Sequence, residues 1–138
     1  MRPVTSRFDV LAIDCRDPRP LADFWCAVLG YQVVEEEDGG VEIAAEPHWV
    51  DDRPRPGRIP PAIDFLPVPE GKTIKNRLHL DLRAIGSTTE SELERLLALG
   101  ARRVDVGQPD DVTWVVLADP EGNEFCLLST PVPDDTSS

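Results

Sequence analysis

His79, Asp81 and Glu124 are the side chains best placed by type and spacing to do chemistry in this sequence. Over residues 77–83, RLHLDLR, His79 and Asp81 alternate with Leu78, Leu80 and Leu82. A strand therefore puts the two polar groups on one face and the leucines on the other. Over residues 124–129 the same alternation sets Glu124, Cys126 and Leu128 against Phe125 and Leu127. With the leucines and Phe125 packed under a helix, His79 and Glu124 face one concave surface from separate strands. An imidazole and a carboxylate so placed can hold a divalent ion or work as an acid–base pair. They can also form a hydrogen-bonded pair with a purely structural role.

The elements that must position these groups come in a repeated order. Residues 8–16 alternate as a strand, and Asp17-Pro18 opens a helix with an N-cap residue and a proline at its first position. That helix runs over 18–29, with Leu21, Phe24, Trp25 and Val28 on its apolar stripe, and stops at Gly30. Strands follow over 31–37 and 41–45, joined by Asp38-Gly39-Gly40, a hairpin signal. Residues 46–60 show no period and carry several prolines, which predicts a long surface loop; 63–68 is a further strand. The order then restarts. The strand over 77–83 leads to Ser87-Thr88-Thr89-Glu90, a capping box. The helix behind it carries Leu93, Leu96 and Leu97 and ends at Gly100. Strands over 101–106, 113–118 and 124–129 follow, the last two joined by the turn Asp119-Pro120-Glu121-Gly122-Asn123. Residues 130–138 read as a disordered tail.

Laid on each other, the halves align Gly30 with Gly100 and Val10 with His79. The fold class expected is α+β: two tandem βαβββ modules forming curled mixed sheets around an open cleft, one helix packed on the outside of each. One domain spans 7–129, with module one over 7–70 and module two over 76–129. A metal site needs three or four donors. The repeat places the missing two at Val10 and near Leu66, both apolar. Asp14, Asp64 or His48 could replace them only with unusual geometry, and His48 is read as a loop residue.

The remaining features point to binding. Trp114 sits on a strand and suits a cleft wall, whereas Trp49 in the long loop suits a lid. The candidate ligand-binding residues are thus Val10, Asp14, Trp49, Leu66, Asp81 and Trp114. Gly71-Lys72-Thr73 echoes the end of a phosphate-binding loop, but Leu66 stands where its first glycine is needed. Lys72, Lys75 and Arg77 read as a solvated loop.

The composition narrows the partners. Among 138 residues, 26 are acidic and 14 basic, a formal net charge of −12. That balance disfavours nucleic acid and anionic membrane surfaces, and favours a cationic or neutral ligand. No apolar run approaches the roughly 20 residues a bilayer requires. No secretory leader is visible. Cys15, Cys26 and Cys126, an odd number in apolar stretches, read as reduced core thiols of a cytoplasmic protein.

These segments resemble the vicinal oxygen chelate superfamily of glyoxalases, bleomycin-resistance proteins and extradiol dioxygenases, in particular its small two-module glyoxalase-like domains. The segments that carry the likeness are Ile13-Asp14-Cys15-Arg16-Asp17-Pro18 with the helix behind it, Asn76-Arg77-Leu78-His79-Leu80-Asp81-Leu82, and residues 118–128, ADPEGNEFCLL. The resemblance implies paired modules around a cleft, often in a homodimer. In metal-dependent members four strands each give one ligand to a divalent metal (Zn, Ni, Fe or Mn). His79 and Glu124 match two of those positions, and Val10 and Leu66 stand at the others. The function expected is therefore binding of a small molecule in the cleft without a complete metal site. The alternative is a metal-assisted or acid–base enzyme, of lyase, isomerase or dioxygenase type, acting on a small carbonyl or diol through His79 and Glu124.

Overall fold

The computed structural model describes residues 2–133. The chain divides into two compact units, one ending at Gly71 and the other beginning at Lys72. In the first unit β1 (Val10–Cys15) leads to α1 (Pro18–Leu29), then to β2 (Gln32–Glu37) and β3 (Gly40–Ala44). The short strands β4 (Trp49–Val50) and β5 (Arg53–Pro54) precede β6 (Ala62–Pro67). The second unit contains β7 (Asp81–Leu82), α2 (Thr89–Leu99), β8 (Arg102–Arg103), β9 (Val115–Ala118) and β10 (Glu124–Leu127).

The two units share one topology. Their four-stranded sheets run β1-β6-β3-β2 and β7-β10-β9-β8. In each, the first strand pairs in parallel with the last, and the other pairings are antiparallel. This is the α+β fold of tandem βαβββ modules that the sequence predicts.

Local chemistry explains the elements. α1 buries Leu21, Ala22, Phe24 and Trp25 and lies against β2, β3 and β6. Phe24 and Trp25 meet edge to face, with ring centroids 5.3 Å apart. Across the sheet, Val41, Ile43, Ile63 and Phe65 complete that core. In α2 Leu96 is wholly buried, and Thr89 Oγ1 donates to the Ser129 carbonyl, which ties the helix start to the chain beyond β10. Asp38 and Gly39, both at positive φ, form the tight β2–β3 turn.

Several expectations change. Asp17 occupies the N-cap of α1 without a capping side-chain bond. The cap of α2 is Thr88, whose Oγ1 accepts from Ser91 N at 3.0 Å; Ser87 lies one residue outside. The long loop over 46–60 holds the β4–β5 hairpin, because Asp51 and Asp52 both take the left-handed conformation its turn requires. His48 is not a surface residue: it is 4% exposed, and its Nε2 lies 3.2 Å from the Pro60 carbonyl oxygen. The strand expected over 77–83 is regular only at Asp81–Leu82. Its pairing begins at Leu80, whose carbonyl accepts from Cys126 N, and Leu78 is 80% exposed instead of packed under a helix. The tail expected over 130–138 begins with ordered contacts: Thr130 O accepts from Arg83 and Val132 N donates to Ala84 O. Its positions 134–138 lie outside the described residues. Among the described residues no helix is long and apolar enough to cross a membrane.

Candidate functional site

In module two, the parallel register sets Asp81 beside Cys126, and antiparallel pairing sets Cys126 beside Val116. His79 stands two residues before Asp81, on the same side of the chain by alternation. Its Nε2 is 3.2 Å from Asp81 Oδ1, and both side chains are nearly half exposed. Cys126 is 7% exposed, and its thiol lies near the Asp81 carboxylate. Burial raises the pKa of that thiol, and the neighbouring Asp81 charge raises it further. One ligand atom from each of His79, Asp81 and Cys126 lies within 4.8 Å of the other two.

Glu124 stands outside this group. Its Oε2 accepts from Lys72 Nζ at 2.8 Å and its Oε1 from Asn76 N at 3.0 Å. Burial opposes its ionisation, but the Lys72 ammonium and the backbone N–H bonds outweigh that and hold the carboxyl below its usual range. Asn76 Nδ2 also donates to Asn123 Oδ1 at 2.9 Å. Asp119, fully buried, accepts from the backbone N–H groups of Glu121 and Asn123 and from the Asn123 amide. The turn before β10 thus fixes Glu124 through a continuous polar network. The pairing of His79 with Glu124 is not formed: His79 meets Asp81, and Glu124 meets Lys72. Lys72 is no solvated loop residue, because its side chain is only 19% exposed and its charge is committed.

Module one supplies the comparison. Ala12 pairs with Asp64 as Asp81 pairs with Cys126. Val10, the counterpart of His79, pairs with Ala62. The register therefore equates Glu124 with Ala62, not with Leu66. Val10 is partly exposed and Ala62 is buried, and neither offers a donor atom. The four-ligand metal site of metal-dependent members does not fit these residues: two positions are hydrocarbon and a third is neutralised by Lys72.

The other candidates disperse. Asp14 pairs with Leu66 at the far end of β1. Leu66 lines a pocket of about 240 Å³ together with Glu35, Glu42 and Asp64. Those three acids sit in register across β2, β3 and β6. Burial raises the pKa of Glu42, with Asp64 and Glu35 adding to it; burial likewise raises that of Asp64, with Glu35 adding. Trp49 is 53% exposed on the β4–β5 hairpin. Trp114 lines an open groove of about 600 Å³ with Arg103, Asp105, Gln108 and Val116, and Val116 is the cross-strand partner of Cys126. Sequence reasoning missed two participants. Cys126 was visible through its alternation with Phe125, but an apolar setting marked it as core. Lys72 left no signal, because its partner lies fifty-two positions away.

Comparison with known proteins agrees with this topology. A family model described as a glyoxalase-like domain matches residues 10–128. No curated protein matches the chain. Among solved structures, a glyoxalase/bleomycin resistance/dioxygenase family enzyme from Burkholderia phytofirmans is similar at 20% identity and a TM-score of 0.57, over 88% of this chain and 97% of that one. The fosfomycin resistance protein FosX from Listeria monocytogenes, solved with Mn(II) and sulfate, is similar at 10% identity and a TM-score of 0.61, over 94% of each chain. FosX from Mesorhizobium loti is similar at 12% identity and a TM-score of 0.59, over 91% of this chain and 92% of that one. At these identities the solved structures speak for the fold alone. The match over residues 10–128 shows the family: this chain belongs to the glyoxalase-like domain family.

Proposed function

We propose that this protein binds a small cationic or neutral molecule on the open faces of its sheets, without the four-ligand metal centre of its metal-dependent relatives. The observation that carries this reading is the Lys72–Glu124 contact at 2.8 Å, which supplies the charge balance a metal would otherwise bring to Glu124. Val10 and Ala62 leave the corresponding positions of module one without a donor atom. The groove beside Trp114 and Val116 sets one aromatic wall against the polar side chains of Arg103, Asp105 and Gln108, which can stack on and hydrogen-bond a small ligand. His79 and Asp81 add a donor and an acceptor that can orient a ligand. The net charge of −12 favours positive charge in that ligand by long-range attraction. FosX and a glyoxalase/bleomycin resistance/dioxygenase family enzyme share the fold, so antibiotics are the first compounds to try. A homodimer in the cytoplasm belongs to the same proposal.

The experiment is a thermal-shift screen of chelator-treated protein against cationic antibiotics, polyamines and neutral aromatics. A ligand held at 100 times its Kd stabilises by about 2.7 kcal/mol, a shift of several degrees. Trp114→Ala is expected to remove the shift while leaving the unliganded midpoint nearly unchanged. No shift from any compound, with or without added metal, refutes the proposal.

The His79–Asp81 contact at 3.2 Å favours a second reading, an acid–base enzyme acting on a small carbonyl or diol. Asp81 would fix the imidazole so that its other nitrogen takes a proton from substrate. Turnover in the presence of chelator, abolished by His79→Ala, distinguishes that case from binding alone.

A further inference from the structure

We propose that His79, Asp81 and Cys126 form a three-donor site for a borderline-soft divalent cation of the Zn²⁺ type, contained within module two and separate from Glu124. The backbone builds it. Parallel pairing holds Asp81 and Cys126 side by side, and His79 follows on the same face. The donors are an imidazole nitrogen, a carboxylate oxygen and a sulfur, a set that favours Zn²⁺ or Co²⁺ over Mg²⁺ or Mn²⁺.

The spacing is close to what such an ion needs. The three atoms already lie within 4.8 Å of one another. Bonds of about 2.0–2.3 Å in a tetrahedral shell put neighbouring ligand atoms roughly 3.3–3.8 Å apart. The contraction falls on His79 and Asp81, whose exposed side chains are free to rotate, while Cys126 stays fixed in β10. Without a cation, Asp81 Oδ1 lies 3.2 Å from His79 Nε2, and Asp81 pairs with Cys126 across the strands. An ion draws the three donors together, and the Cys126 thiol gives up its proton to solvent on ligation. Three protein ligands on an open face leave a coordination position for water or a small molecule. Module one has no equivalent, because its counterparts are Val10, Ala12 and Asp64, with one donor among them. One ion per chain is therefore expected.

The test is titration of the chelator-treated full-length protein with Co²⁺, read by absorbance and with no organic ligand present. Its outcome is thus independent of the small-molecule proposal. A thiolate-to-cobalt charge-transfer band should grow to one equivalent and be displaced by Zn²⁺ but not by Mg²⁺. Cys126→Ser should abolish the band, and His79→Ala and Asp81→Asn should each weaken binding at least tenfold. Glu124→Gln should leave both band and affinity unchanged. Circular dichroism of each variant separates lost ligation from lost folding, and Cys15→Ser controls for the other buried thiol of the chain's first half. The proposal is overturned if wild type shows no band, if the band survives Cys126→Ser, or if Glu124→Gln abolishes it.

Discussion

At the scale of single residues, the identity of a carboxylate's partner decides what it can do. Glu124 stands where a metal ligand is expected, yet Lys72 and Asn76 satisfy it from within the same module. Its folded pKa lies below the unfolded value, so the ion pair stabilises above the unfolded pKa. That contribution is lost as pH falls through the folded pKa. Lys72→Met should therefore cost about 2 kcal/mol near pH 7, since it strands a largely buried carboxylate. The penalty should shrink as pH falls through the acid range and Glu124 takes up its proton; urea unfolding at pH 7 and at successively lower pH measures it. His79 and Asp81 were legible as partners, because alternation alone places them on one face. Lys72 was not, because a lysine in a polar loop looks the same whether it faces water or a buried acid.

At the scale of elements, nearly all the order was legible from hydrophobic period, glycine stops and turn residues. What failed were features decided by long-range pairing. The strand over 77–83 has the cleanest alternation in the sequence, yet only two of its residues are regular strand, since β10 engages it from Leu80 onward. The Asp51–Asp52 turn escaped notice because neither residue is glycine. The register across β2, β3 and β6 lines up Glu35, Glu42 and Asp64, a juxtaposition that adjacent sequence does not suggest. The folded pKa values of Glu42 and Asp64 lie above their unfolded values, so the folded state holds protons more tightly and stability falls as pH rises through that interval. Glu42→Gln should stabilise the protein at pH 7 by about 0.5 kcal/mol, the size of a cross-strand like-charge contact. The gain should vanish below about pH 4, and thermal unfolding across that range checks it.

At the scale of the whole molecule, the net charge of −12 acts on everything else. Raising salt from about 0.1 M to about 1 M shortens the screening length from roughly 10 to 3 Å. The melting temperature should rise by roughly 2–5 °C over that interval as self-repulsion is screened. Affinity for a cationic ligand should fall over the same interval, which separates the two effects of one charge. The shared strand order of the modules carries a different consequence, for the order of events in synthesis. β1 leaves the ribosome long before β6, its sole partner in the sheet, and β7 likewise precedes β10. Each module thus begins with a strand that must wait for the module's last segment. Loop-closure entropy opposes that final pairing until the rest of the sheet is in place. The β2–β3 hairpin, with its Asp38-Gly39 turn, is the natural nucleus of module one, and β1 is the strand most exposed to mispairing with another nascent chain.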